Sequence, residues 1–383
     1  MEKIVCLSTS CYHPFPTRKQ HVMNRISASE ILYFDPPVTY LAPLKDKTVW
    51  KRIFMYRKDG ERARENLTVY ATPPSLPFFN KSRLINKINQ KRLARFVRKK
   101  MKKHGFENPI LWCYSPTSAD VAQHIPHSAL VYDCVDRHSA YKGLINEDVV
   151  NGLERDLAAG CTAVFSTALG LHETLLKYND RAKLIPNGVN FEHFYTANTE
   201  ELPKPSDLQN IGGKIIGFVG MLQECIDYKK IEYIAKMRPE WSVVLIGRPL
   251  PGVNLDYLKE YKNIHFLGMK KYEELPAYIR HFDVCLNIFR DGELSRDVSP
   301  LKFYEYLATG KPVVSTPQPV QVLDFADAVY IAGDEGEFLK KCEEAMSEAD
   351  STKTDMRIEY ARHCSWDERV REMERVLEGY GVK

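Results

Sequence analysis

Apolar residues along this chain fall into short continuous runs, separated by longer stretches in which they recur at helical spacing. Runs at 4–7, 31–34, 38–41, 67–71, 110–114, 129–132, 163–165 and 183–185 are predicted strands, and 18–29, 147–157 and 169–177 are predicted helices. A second series has strands at 215–220, 242–247, 264–268, 284–289, 312–315 and 329–331. The strand runs are unbroken rather than alternating, so both faces of each strand should be buried, as in a parallel sheet covered by helices on both sides. The expected fold is therefore α/β, with two Rossmann-like, doubly wound domains facing a central cleft. The boundaries predicted are 1–190 for an N-terminal domain, 191–212 for a linker containing Pro203, Pro205 and Gly212, 213–362 for a second domain, and 363–383 for a C-terminal helix crossing back toward the first.

In open α/β sheets ligands gather at the carboxyl ends of the strands. The densest stretch at such an end is 290–316, RDGELSRDVSPLKFYEYLATGKPVVST. Ser299 is predicted to cap a helix and Pro300 to open it; Leu301, Tyr304, Leu307 and Ala308 form the apolar face, and Gly310 ends the helix before a buried strand. A helix start favours an anion, Lys302 adds a charge in the first turn, and Glu305 can accept from hydroxyls. A sugar phosphate would satisfy both. An i,i+3 ion pair between Lys302 and Glu305 is the alternative.

Composition narrows the picture further. The chain has 383 residues, enough for two cores, and a net charge of +4, too mild to indicate nucleic acid. It contains no apolar run of membrane-spanning length, and MEKIVCLSTS enters a strand without a signal layout, which points to a cytoplasmic chain, if necessary at the inner face of a membrane. The nine cysteines show no CxxC spacing and are expected to be reduced core residues. Neither GxGxxG nor GxxxxGK[ST] is present, which argues against a dinucleotide oxidoreductase or a P-loop enzyme. Residues 81–104 hold eleven Lys and Arg with no acidic residue and with interleaved apolar ones, a basic amphipathic helix. It is either a solvated helix face or a patch for anionic lipid or polyanionic glycan.

The order of motifs then becomes recognisable. IPNGVNFEHF, IGFVGML, VVLIGRP, NIHFLGMKKYEELPAYIRHFDVCLNIF and SPLKFYEYLATGKPVVST resemble, in that succession, the C-terminal half of GT-B nucleotide-sugar glycosyltransferases of group 1. The likeness is nearest to the teichuronic acid type of bacterial polysaccharide enzyme and more distant to the xanthan glucuronosyltransferase. It covers 185–377 well; in the first half the matching pieces are STSCYHPFPTRKQHVMNRIS and LVYDCVDRHSAY. The resemblance implies a glycosyltransferase acting on a nucleotide-sugar donor, with UDP as the nucleotide, a glycan or lipid-linked acceptor, and no metal or other cofactor. A carboxylate, seven residues and a second carboxylate fall on Asp297, near the donor sugar, and Glu305, on the ribose hydroxyls. Ser299, Leu301 and Lys302 at the helix start and Gly220, whose missing side chain lets a backbone approach, would hold the diphosphate, and Met269 would line the base. Commoner relatives place Arg after the first glycine and Lys five positions later; here Met221, Cys225 and Ile226 stand there, so Arg248 or Lys229 is the substitute. Asp136 matches the general base of the xanthan-type relative, with turn capping by Asp133 or Asp136 as the alternative, and His21 and His138 are further contacts, His21 a catalytic candidate. A nucleotide-sugar epimerase of the same fold and a non-catalytic glycan-binding subunit are the rival functions.

Overall fold

The computed structural model describes residues 2–14, 16–140, 143 and 145–382. Phe15 and Tyr141, inside two of the motifs quoted above, lie outside the described residues. The chain divides into one unit of residues 1–186 with 370–383 and a second of 187–369.

In the first unit, β1 (Ile4–Leu7), β2 (Ile31–Phe34), β3 (Glu61–Arg64), β4 (Leu67–Tyr70), β5 (Ile110–Cys113), β6 (Ala129–Cys134), β7 (Ala163–Ser166) and β8 (Ala182–Leu184) form one sheet in the order β3-β4-β2-β1-β5-β6-β7-β8. All neighbours are parallel except β3 and β4. The predicted two-sided burial is visible on β1: Val5 and Leu7 join a core with Leu111 and Val97, while Ile4 and Cys6 join another with Val22 and Trp112. The second core is completed by Val370, Met373 and Leu377 of the last helix, Trp366–Gly379.

The predicted strand at 38–41 does not form; Thr39 makes an isolated bridge to Ser75. Pro36, Pro37 and Pro43 flank this segment and confine its pairing to one residue, the Tyr40 N–H donating to the Ser75 carbonyl at 3.1 Å and the Val38 carbonyl accepting from the Ser75 N–H at 2.9 Å. The antiparallel β3 was invisible to periodicity because it is an edge strand with three of its four residues exposed and no apolar run.

The second unit holds β9 (Ile215–Val219), β10 (Ser242–Ile246), β11 (Ile264–Gly268), β12 (Val284–Asn287), β13 (Val313–Ser315) and β14 (Tyr330–Ile331), all parallel, in the order β11-β10-β9-β12-β13-β14. Its two faces are again both covered. The segment 191–212, expected as a linker, is a correction: Phe191–Thr199 is helical, and Phe191, Phe194, Leu208 and Ile211 are buried in this unit's core. Its Pro and Gly residues turn a chain that is anchored every few positions by apolar side chains.

One surface of the first unit is unlike the rest. Helix Arg83–Lys103 buries Asn86, Gln90, Ala94, Val97 and Met101, leaving Leu84, Ile88, Lys91, Arg95, Arg98 and Lys102 along one exposed stripe. Tyr40 stacks near it, its hydroxyl accepting from Arg92 at 3.0 Å, and Tyr56 meets Phe96 edge-on at 6.2 Å. Between these contacts Leu44, Trp50, Phe54 and Met55 are exposed, Leu44 at 80%. Among the described residues no helix is long and apolar enough to cross a membrane.

Candidate functional site

In the second unit the chain winds outward from β9, first to β10 and β11 and then to β12, β13 and β14, so the strand order reverses between β9 and β12. That switch point is where a doubly wound sheet leaves a crevice. The β9–β12 ladder is short, Val284 opposite Ile216 and Cys285 opposite Gly217, and the strands part beyond it.

Three glycines floor the site. Gly220, Gly247 and Gly268 follow or end β9, β10 and β11 with φ of +144°, +144° and +68°. The Gly220 N–H donates to Ile246 and the Gly247 N–H to Gly268, both at 2.9 Å. A Cβ on residue 247 would sit 1.9 Å from the Gly220 carbonyl oxygen, so the bare backbone is sterically required.

Helix Leu301–Ala308 lies over this floor, held by Phe303, Tyr304, Tyr306, Leu307 and Ala308 in the core. The Tyr306 hydroxyl accepts from the Val219 N–H at 2.7 Å, tying the helix to the end of β9. The predicted cap is corrected by the structure. Pro300 is the N-cap with no side-chain bond, and Ser299 lies one position too early. Its Oγ instead accepts from the Asn187 N–H at 3.1 Å, and its carbonyl accepts from Asn187 Nδ2 at 2.7 Å. Ser299 thereby ties the segment before the helix to the PNG turn, and Leu301 is the first helical residue.

Lys302 and Glu305 do not form the i,i+3 ion pair that was the alternative. The Lys302 ammonium lies over the rings of Phe218 on β9 and Phe289 just after β12, 4.2 and 5.0 Å from their centroids. A Cβ on Gly220 would be 3.1 Å from it. Among the described residues no carboxylate comes within ion-pair distance of Lys302, and no hydrogen bond reaches the Glu305 carboxylate. Burial pushes the Lys302 ammonium down to about 8, with Cys225 and Glu305 opposing, and pushes the Glu305 carboxyl up to about 7 against the pull of Lys302. A cation and a carboxylate at one crevice, both half-buried and neither hydrogen-bonded nor ion-paired among the described residues, are suited to a ligand carrying an anion and hydroxyls.

Asp297 is buried at 6% in the turn after helix Glu293–Arg296. Arg248 and Lys229 are exposed, and the Arg248 carbonyl accepts from the Leu222 N–H. Met269 is 47% exposed beyond Gly268. An open pocket of about 640 Å³ lies alongside, lined by Cys225, Tyr228, Tyr257, Arg290 and Ser295. Sequence reasoning missed Asn187, Tyr306 and the two rings under Lys302. Only the PNG turn and the aromatic content of 303–306 hinted at them.

In the first unit the strand ends of β5 and β6 gather a second polar group. Asp133 is fully buried, and its two oxygens accept from Arg18 Nε at 3.0 Å each, so it is an ion-pair partner and not a turn cap. Asp136 is exposed just beyond β6. It acts electrostatically on Lys19, whose ammonium burial pulls below its ordinary value, and on His138, which burial lowers to about 4. His138 Nε2 lies 3.2 Å from the Tyr114 carbonyl oxygen. His21 is buried on helix Arg18–Met23 with Nδ1 3.3 Å from Arg25, and burial holds it near 3, a neutral ring. The two catalytic candidates thus differ: Asp136 is open to solvent and His21 is not.

Residues 213–348 match the family model described as "Glycosyl transferases group 1". The chain is 27% identical over 278 residues, 68% of its length and 70% of the relative's, to a Bacillus subtilis (strain 168) protein named as a teichuronic acid biosynthesis glycosyltransferase, TuaH. Among solved structures, the sucrose-phosphate synthase of Thermosynechococcus elongatus superposes with a TM-score of 0.71 at 15% identity, covering 99% of both chains. Anabaena Alr3699/HepE in complex with UDP and glucose superposes with a TM-score of 0.67 at 14% identity over 98% of this chain and 99% of that one. At such identities these two show the fold alone, and the fold is GT-B.

Proposed function

For a chain that is a GT-B glycosyltransferase resembling the teichuronic acid type, we propose transfer of a hexosyl or glycuronosyl group from a UDP-sugar to a lipid-linked or polysaccharide acceptor in bacterial cell-surface glycan synthesis. The observation that carries this reading is the placement of Lys302 and Glu305 at the β9–β12 switch point, each half-buried and, among the described residues, with no side-chain hydrogen bond or ion pair. The diphosphate would lie against Gly220, Lys302 and the N–H groups at the start of helix Leu301–Ala308, and the ribose hydroxyls would donate to Glu305. Ser299 supports that backbone through Asn187. Asp297 would face the donor sugar, Met269 the base, and Arg248 supplies further charge. The Bacillus relative's name supports the glycan context, and the UDP and glucose in the Anabaena structure support the nucleotide.

In the proposed reaction the acceptor hydroxyl attacks the anomeric carbon, the bond to the β-phosphate oxygen breaks, and UDP leaves with its charge met by Lys302 and the helix dipole rather than by a metal. Asp136 is proposed to take the hydroxyl proton, its exposure at a strand end suiting that task. His21, neutral and buried, has no part in this proton transfer. The acceptor is proposed to reach the enzyme at an anionic membrane that the basic and apolar surface of residues 40–103 would meet.

UDP should bind by calorimetry, and Glu305→Ala should weaken it about 10- to 100-fold through loss of charge-assisted hydrogen bonds. Asp136→Asn should keep UDP affinity while losing turnover about 100-fold or more. Absence of UDP binding would sink the donor site, and normal turnover in Asp136→Asn would sink the base. Release of UDP that depends on added acceptor separates transfer from epimerisation.

A further inference from the structure

The loop that follows β9 holds no cation of its own. After Gly220 come Met221, Leu222, Gln223, Glu224, Cys225 and Ile226. A nucleoside diphosphate carries more negative charge than Lys302 alone can offset, so a second positive group has to come from elsewhere in this unit.

Another strand end brings one to the loop. The loop runs antiparallel to the segment after β12, with Ile226 bridged to Phe289. The Asp227 N–H donates to the Ile288 carbonyl at 3.3 Å, and the Arg290 N–H donates to the Cys225 carbonyl at 2.8 Å. The Arg290 carbonyl in turn accepts from Ser295 Oγ, so this backbone is tied on both sides while the side chain stays exposed. Phe289, one residue earlier, carries the ring that lies 5.0 Å from the Lys302 ammonium. Arg290 and Lys302 therefore border the same short stretch of loop. Their charges meet at one thiol: burial raises Cys225, while Lys302 and, less strongly, Arg290 pull it back down.

The Arg290 side chain is not spent on the protein. It lines the open pocket of about 640 Å³ together with Cys225, Tyr228 and Tyr257. Among the described residues its guanidinium makes no hydrogen bond or ion pair. The adjacent Asp291 carboxylate accepts from Gln318 Nε2 at 2.8 Å instead, and Glu224 lines the pocket without pairing with Arg290. A guanidinium with its N–H donors unspent, on a fixed backbone, is suited to an oxyanion that it can grip with two parallel hydrogen bonds. A sugar nucleotide offers two such anions, the β-phosphate and, in a hexuronic acid, the ring carboxylate. The backbone bond to Cys225 keeps Arg290 beside the loop that Lys302 also reaches, which favours the phosphate.

We infer that Arg290, from the strand end of β12, is the second cation of the donor site and donates to the β-phosphate of UDP alongside Lys302. The inference rests on the reading of Lys302 as a diphosphate ligand. Its test is calorimetry on the full chain with UDP, UMP and UDP-glucuronate, comparing the parent with Arg290→Ala and Arg290→Lys. The side chain is exposed, so neither substitution opens a cavity in the core. Arg290→Ala should weaken UDP about 10- to 100-fold, the worth of charge-assisted hydrogen bonds, and leave UMP, which has no β-phosphate, within about twofold. Arg290→Lys should recover part of the loss, since it keeps the charge but not the fork. Equal UDP affinity in Arg290→Ala and the parent overturns the inference while leaving the donor site standing. A loss confined to UDP-glucuronate also overturns it, by assigning Arg290 to the sugar carboxylate, and so does an equal loss for UMP and UDP. No UDP binding by the parent is a different failure, which removes the donor reading and the role of Arg290 with it.

Discussion

Lys302 and Glu305 are each held away from their charged form by burial, and each is the other's electrostatic support. The proposed ligand uses the charged forms of both. UDP affinity should fall as pH drops through about 7, when Glu305 takes a proton, and fall again as pH rises through about 8, when Lys302 loses one. Calorimetric titrations across that range should trace a bell; a flat profile would count against this pair as ligands. The same shifts weaken the UDP-free protein. Lys302 has a folded-state value below the ordinary 10.5, so its deficit is full below about 8 and fades as pH climbs toward 10.5. Glu305 is raised, so its contribution favours the fold at low pH and is lost as pH rises through about 7. Lys302→Met should therefore melt higher than the parent at neutral pH, by about 2–4 °C for each kcal/mol regained, while binding UDP more weakly. At this scale the chain was only partly legible. The spacing of Lys302 and Glu305 was readable, but the lack of a direct ion pair between them was not, because the ammonium lies over Phe218 and Phe289 instead.

The strand ends of the second unit divide the work between glycines with different constraints. Gly247 combines a φ of +144° with a virtual Cβ only 1.9 Å from the Gly220 carbonyl oxygen, whereas Gly268 has a φ of +68° and open space. Gly247→Ala should cost about 3 kcal/mol or more in urea unfolding, through strain and a forced shift of the Gly220 loop, and should weaken UDP binding with it. Gly268→Ala should cost only about 1–2 kcal/mol, the conformational part. Equal losses would show that the close approach at Gly220 is not what requires glycine. Most elements here could be placed from hydrophobic runs, since each buried strand is a local pattern. The exceptions are instructive. An exposed edge strand such as β3 has no run to read, and the segment at 38–41 has the run but is held by flanking prolines to a single bridge.

Across the first unit as a whole, the basic stripe of helix Arg83–Lys103 and the exposed Leu44, Trp50, Phe54 and Met55 form a surface with the composition of a membrane-interface patch. Each Lys or Arg near an anionic bilayer contributes about 1 kcal/mol, and the attraction is screened by salt. The protein should co-sediment with acidic vesicles at low ionic strength, release as salt rises, and bind less after Trp50→Ala or Lys91→Glu. No sedimentation at low salt, or equal binding to neutral vesicles, would remove the membrane from the proposal. At this scale the sequence by itself determined two parallel, two-sided α/β units, their strand-end motifs and the basic helix, because burial patterns and charge runs are carried by neighbours in the chain. Only the tertiary structure decided which polar groups are engaged and which are left for a ligand. Arg18 takes Asp133 from 115 positions away, and Asn187 takes Ser299 from 112. Such pairings follow from which strand ends meet, and that is set by the winding order of the sheets and not by any local periodicity.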